Sequence, residues 1–150
     1  MSRLPIVSTR CFEDLLMAAP GALEADTAMR GLLIKELTPR LYSLIGVVVA
    51  GSLRCNGLIE ALRGPLNPSF ADQLFSDWRA LPLTSSEKAV LAYTEKGTLD
   101  EASVRKRDVD ELRAAGFNDK EVLLIATAIA YHNYAIRMAA AFDVLPRSSE

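Results

Sequence analysis

The stretch NDKEVLLIATAIAYHNYAIRMAAAF, which runs from Asn118 to Phe142, predicts one long helix. Asn118 is a good N-cap residue, and Glu121 stands three positions later, as in a capping box. The apolar run invites a test for a membrane span, but His132, Asn133 and Arg137 interrupt it, and polar side chains are costly in lipid. We therefore expect a buried helix and no membrane partner.

A second apolar segment, LTPRLYSLIGVVVAGSLRCNGLIEAL, lies between Leu37 and Leu62. Thr38 supplies an N-cap and Pro39 a first helical position, which predicts a helix from about Arg40 to Leu62. Because the segment is apolar on nearly all sides, we expect this helix to be central. Its Val and Gly residues lower the helix propensity by up to about 1 kcal/mol per position, so close packing must compensate.

The remaining segments read as shorter helices separated by Pro and Gly connectors. They run from about Arg10 to Ala18, Ala22 to Leu37, Phe70 to Trp78, Thr84 to Lys96 and Asp108 to Ala115. No window shows the alternation of apolar and polar residues that is typical of strands. The sequence therefore predicts one all-α domain over residues 1–150, with about six to seven helices, which completes its core by oligomerisation.

The charge and the cysteine content indicate which binding partners and which cellular compartment to expect. Seventeen basic and nineteen acidic residues give a net charge of −2, without the Lys/Arg stripe that binding to a nucleic-acid backbone requires. The start, MSRLPIVSTR, lacks the apolar core of a signal peptide, and Cys11 and Cys55 lie far apart. We expect a cytoplasmic protein that does not bind nucleic acid.

The only histidine, His132, lies in the polar run from Tyr131 to Tyr134 within the last apolar helix. It is a candidate general base that reaches a pocket shared with Cys55. The alternative, which we favour, is a histidine whose ring is paired with a backbone carbonyl or with a neighbouring subunit. Tyr131, Asn133 and Arg137 are candidate substrate-binding residues, and Arg137 is also a candidate for a structural ion pair or an inter-subunit contact.

Cys55 has two interpretations as well. It is a candidate nucleophile whose thiolate Arg54 favours, or it is a small buried hydrophobic residue, which is the commoner fate of a cysteine. One histidine and two distant cysteines do not make a convincing ligand set for zinc. We therefore expect no metal and no cofactor.

The second half of the chain carries an ordered set of signals that resembles the AhpD-like, peroxidase-related proteins of the carboxymuconolactone decarboxylase family. The set comprises a short helix ending in A-x-G-F, an acidic capped start, a Y-x-N-x-x-x-R segment and a final V-x-P. The matching positions here are Ala114, Gly116, Phe117, Asp119, Glu121, Tyr131, Asn133, Arg137, Val144 and Pro146. The resemblance implies an all-helical fold and a homo-oligomer, whether a dimer, trimer or hexamer.

The first half resembles the same family at Leu37-Thr38-Pro39-Arg40, which opens the family's active-site helix. That helix ordinarily carries a Glu, then eleven residues, then C-x-x-C, then three residues and a His. Counted from Cys55, the position of the Glu is Ser43, that of the second cysteine is Leu58, and that of the His is Leu62. The resemblance implies that the family's dithiol is absent here, so no internal disulfide can form at this site.

These replacements lead to three hypotheses of function. The first is a non-redox AhpD-like protein that binds a small apolar ligand or acts only as an assembly. The second is an alkylhydroperoxidase-type oxidoreductase in which Cys55 alone reduces a peroxide through a sulfenic acid. The third is a decarboxylase-like enzyme in which His132 carries the proton.

Overall fold

The structure is a computed structural model, and it describes residues 12–144. That part of the chain contains eight α-helices and no strand. The helices are α1 (Phe12–Leu16), α2 (Ala22–Leu37), α3 (Pro39–Ser52), α4 (Ile59–Leu62), α5 (Pro68–Asp77), α6 (Ser85–Leu99), α7 (Lys106–Ala114) and α8 (Asp119–Ala141). The expected all-α class is confirmed.

Helix α3 lies at the centre, as its composition predicts. It packs against α2, α5, α6 and α8, and every residue from Tyr42 to Ala50 is buried. Its glycines permit close approach: a Cβ on Gly46 would lie 2.7 Å from the His132 ring, and one on Gly51 would lie 3.2 Å from the carbonyl carbon of Phe75. Because glycine lacks a Cβ, α8 and α5 come closer to α3 than any larger residue would allow.

The capping signals form as the sequence predicts. The Asn118 side chain accepts from the Glu121 amide at 2.8 Å, and the Glu121 carboxylate accepts from the Asn118 amide at 3.1 Å. Thr84 and Glu87 make the same reciprocal pair at the start of α6. Each pair satisfies two amides that the first turn of a helix leaves without partners.

The predicted helix from Arg40 to Leu62 is wrong, because α3 ends at Ser52 and a short 3₁₀ turn, Asn56–Leu58, precedes α4. Arg54 adopts a left-handed backbone conformation with φ 58°. The Cys55 amide then donates to the Ala50 carbonyl at 2.9 Å, and the Arg54 amide donates to Gly51 at 3.1 Å. This is the Schellman pattern that closes a helix, built here on a residue other than glycine.

Arg54→Gly is expected to raise the free energy of unfolding by up to about 1 kcal/mol. A side chain in the left-handed region costs roughly 1–2 kcal/mol, and the greater freedom of glycine in the unfolded chain offsets part of the gain. Arg54 is exposed, so little packing is lost. Urea denaturation checks the effect, and Arg54→Ala, which keeps a Cβ, should give no such gain. A lower stability for the glycine variant would contradict the strain at this position.

Among the helices of residues 12–144, only α8 is long and apolar enough to span a membrane. In its most apolar stretch, 44% of the residues are buried inside the fold, among them Ile125, Ala128 and Ile136. The core helix of a soluble protein meets the same criteria, so this is weak evidence for a membrane.

Candidate functional site

The candidate residues of α8 point to different sides of the helix. Successive helical residues are rotated by about 100°, so Tyr131, His132 and Asn133 cannot share one face. Tyr131 faces α2, His132 faces α3, and Asn133 faces α6. The three polar residues that are adjacent in the sequence therefore contact three different helices.

His132 lies in the core between α3 and α8, with 2% of its surface exposed. Its Nε2 is 3.1 Å from the Tyr42 carbonyl oxygen, and its ring centroid is 4.5 Å from that of Tyr42. This placement agrees with the sequence interpretation of a histidine paired with a backbone carbonyl. Cys55 lines a cavity with Ala139, which is two turns, or about 10 Å, further along α8 than His132.

Cys55 is half-buried at the edge of a cavity of about 290 Å³ between the 3₁₀ turn and the end of α8. Its thiol donates to the Leu53 carbonyl at 3.7 Å. Leu58, at which the sequence resemblance predicts the family's second cysteine, lines the same cavity. Within residues 12–144 no group of three or more His, Cys, Asp or Glu side chains is placed to hold a metal ion. Cys11 and Pro146 lie outside the described residues.

Ser43 and Leu62, at which the sequence resemblance predicts the family's Glu and His, line one small cavity of about 120 Å³. Tyr42 and Gly64 also contribute to its wall, and a Cβ on Gly64 would lie 2.5 Å from the Ser43 hydroxyl oxygen. The fold therefore brings these two positions together, although they are nineteen residues apart in the chain. The groups that meet there are a hydroxyl and an aliphatic side chain.

Tyr131 lines an apolar groove of about 430 Å³ between α2 and α8. Its hydroxyl donates to Asp26 Oδ1 at 2.8 Å, and Asp26 is 7% exposed. Burial raises the pKa of the Tyr131 phenol well above its usual value, and the neighbouring Tyr42 and the hydrogen bond to Asp26 raise it further. The pKa of Tyr134, on the same groove, is also raised by burial and by Asp26. Both phenols therefore stay protonated at neutral pH.

Asp26 is a residue that the sequence reasoning missed, although a signal for it exists. It lies seven residues before Leu33 and eleven before Leu37, and all three are buried on the same side of α2. Helical periodicity alone places this carboxylate on the buried face.

Asn133 and Arg137 line a further cavity, of about 560 Å³, between α6 and α8. The Asn133 amide donates to the Thr98 hydroxyl at 3.1 Å and to the Ile129 carbonyl at 2.9 Å. Arg137 Nε donates to the Asn133 carbonyl oxygen at 3.4 Å. The bond to Thr98 connects α8 to α6, the other two lie within α8, and Arg137 is exposed at the surface.

Comparison with known proteins bears on the fold. No protein-family model matches the sequence, and no curated protein matches it. Among solved structures, an uncharacterized peroxidase-related protein from Silicibacter sp. TM1040 gives a TM-score of 0.82 at 25% identity, over 91% of this chain and 75% of that one.

Two further solved structures are similar. An AhpD core protein, described as peroxidase-related, from Ralstonia eutropha JMP134 gives a TM-score of 0.70 at 22% identity, over 91% of this chain and 80% of its own. A protein of unknown function from Agrobacterium tumefaciens, described as an AhpD-type antioxidant defence protein, gives a TM-score of 0.68 at 23% identity. The match covers 90% of this chain and 97% of that one. The chain thus has the all-helical fold of the peroxidase-related, AhpD-like proteins.

Proposed function

We propose that this protein keeps the AhpD-like fold but has lost its dithiol peroxidase chemistry, and that it binds a small, largely apolar ligand. One observation carries the first part. Ser43 and Leu62 line the same cavity, and they stand where the resemblance places the Glu and the His that assist proton transfer. The shared cavity supports the pairing of these two positions, and a hydroxyl and an aliphatic side chain occupy them.

Peroxide reduction by a dithiol needs a thiolate, a group that moves protons, and a second thiol that resolves the sulfenic acid. A serine hydroxyl is not a base at neutral pH, and leucine has no ionisable group. Leu58, beside Cys55 in its cavity, cannot form a disulfide. Ser43 and Leu62 remove the groups that move protons, and Leu58 removes the second thiol.

The groove between α2 and α8 supports the second part of the proposal. Alanines at positions 22, 25 and 130, with Met29 and two tyrosine rings, give it mainly apolar walls. Its volume of about 430 Å³ lies in the range that small-molecule sites occupy. Tyr131, a candidate binding residue from the sequence, forms part of the wall. Asn133 and Arg137 belong to the other side of α8.

Self-association in the cytoplasm completes the proposal. Seven large apolar side chains are exposed within residues 12–144, and four of them are on α2 and α8, namely Met29, Leu32, Leu123 and Tyr134. Exposed apolar side chains that form one patch mark an interaction surface, and on this ground we propose a homo-oligomer. Light scattering after gel filtration measures the number of chains.

A reductant-coupled alkylhydroperoxidase assay tests the loss of redox chemistry. Wild-type protein and Cys55→Ser are expected to consume peroxide no faster than buffer, because no second thiol or base serves Cys55. Turnover that Cys55→Ser abolishes would contradict the proposal and favour the one-cysteine oxidoreductase. A separate assay with small lactones and keto acids, in which His132→Ala loses activity and Cys55→Ser keeps it, would favour the decarboxylase-like enzyme.

A further inference from the structure

The groove between α2 and α8 holds one carboxylate, that of Asp26. Its residue is 93% buried, since 7% of the surface is exposed. Tyr131 donates one hydrogen bond to Oδ1 at 2.8 Å, and within the described residues no lysine or arginine forms an ion pair with Asp26. Arg30, one helical turn further along α2, is paired with Glu13 at 3.8 Å, and its charge also acts on the Tyr131 phenol, where it partly offsets the rise in pKa.

Tyr131 takes up one acceptor position of the Asp26 carboxylate, and within the described residues no other donor is bonded to it. A carboxylate has about four acceptor positions, so the others can accept from a ligand. A charged donor binds a carboxylate more strongly than a neutral donor does, and most strongly where water is excluded. The groove therefore offers an acceptor for a cation within a mainly apolar wall.

The aromatic rings of the groove suit a cation as well. The centroids of Tyr131 and Tyr134 are 6.4 Å apart, and their ring planes are inclined at 51°. Aromatic faces beside a carboxylate attract alkylammonium groups through the ring quadrupole. Met29 and the alanines opposite these rings offer contact to an apolar body.

We propose that this groove binds a small organic ammonium compound with an apolar body, and that Asp26 is its counter-ion. The inference rests on the proposed ligand-binding function and adds the charge of the ligand. The ammonium group pairs with the Asp26 carboxylate, and the apolar body lies against Met29, Tyr131 and Tyr134.

Two probes that differ only in charge test this inference. Naphthylmethylamine is a cation at neutral pH, and naphthylmethanol is its neutral counterpart, so fluorescence titration gives both dissociation constants. Wild-type protein is expected to bind the amine about tenfold more tightly than the alcohol. Equal affinities for the two probes would overturn the ammonium inference and leave the apolar groove in place. Absence of binding by either probe would overturn the ligand-binding function too.

Asp26→Asn identifies the residue that makes the difference. The amide has nearly the same shape and still accepts from Tyr131, but it has no charge, so the preference for the amine is expected to disappear while the affinity for the alcohol stays. Asp72→Asn is the matched control, because Asp72 is exposed on α5, and it should keep the preference. A preference that survives in folded Asp26→Asn would overturn the assignment. If that variant does not fold, the comparison of the two probes on wild-type protein still tests the ammonium inference.

Discussion

Gly51→Ala is expected to lower the free energy of unfolding by about 2 kcal/mol. A Cβ at this position would lie 3.2 Å from the carbonyl carbon and 3.3 Å from the Cα of Phe75, and closer still to the carbonyl oxygen. These atoms belong to the backbone of α5, so no side-chain rotation can make room. Overpacking costs about 1–3 kcal/mol and more against rigid backbone, which exceeds the gain of about 1 kcal/mol in helix propensity.

Gly31→Ala is the matched control for this effect. Gly31 is also inside a helix, but it is exposed, and nothing lies within 4 Å of an added Cβ. Here the gain in helix propensity has no packing cost, so the stability should rise by up to about 1 kcal/mol. Urea denaturation of both variants measures the difference. If both alanine variants are stabilised equally, the result would contradict the close packing of α3 on α5 at Gly51.

Leu58→Cys, in a Cys11→Ser background, is expected to restore a disulfide that the natural chain cannot form. The Leu58 amide donates to the Cys55 carbonyl at 3.3 Å, so the two residues span a single 3₁₀ turn. Such a turn holds the two Cα atoms about 5–6 Å apart, within the range that a disulfide bridges. Oxidation should remove both thiols and two hydrogen masses from the chain, as mass spectrometry and thiol titration detect.

Leu62→Cys in the same background controls for non-specific oxidation. Leu62 lines the cavity of Ser43, whereas Cys55 lines a different one, so no internal disulfide is expected. Leu58→Cys should still reduce alkyl hydroperoxide slowly, because Ser43 and Leu62 supply no base. Failure of Leu58→Cys to form a disulfide under oxidising conditions would contradict the alignment of this turn with the family's paired thiols.

Local sequence signals predicted much of the fold. Helix α2 has the predicted bounds, and the capping boxes at Thr84 and Asn118 form because they need only residues within one turn. The end of α3 was not predictable in the same way. The apolar pattern continues past Ser52, and the residue that takes the left-handed conformation is Arg54, which carries no glycine signal. The two backbone hydrogen bonds of the Schellman pattern hold that residue in the left-handed conformation.

In the candidate site, too, the sequence predicts some features and not others. The sequence shows Tyr131, His132 and Asn133 as polar residues within an apolar helix, but their contacts depend on which helix each one meets. Gly46 admits the His132 ring, and Asp26 meets Tyr131 from 105 residues away. Contacts between such distant positions are set by the packing of whole helices, which a single sequence does not reveal.

The measurement that tests the central claim most directly is the number of peroxide molecules that one wild-type chain reduces. Purified protein is mixed with cumene hydroperoxide and an excess of a small dithiol, and peroxide loss is followed against buffer. The proposal that Ser43, Leu58 and Leu62 replace the family's Glu, second cysteine and His predicts no catalytic turnover above the buffer rate. Sustained turnover, with many peroxide molecules reduced per chain, would contradict the account.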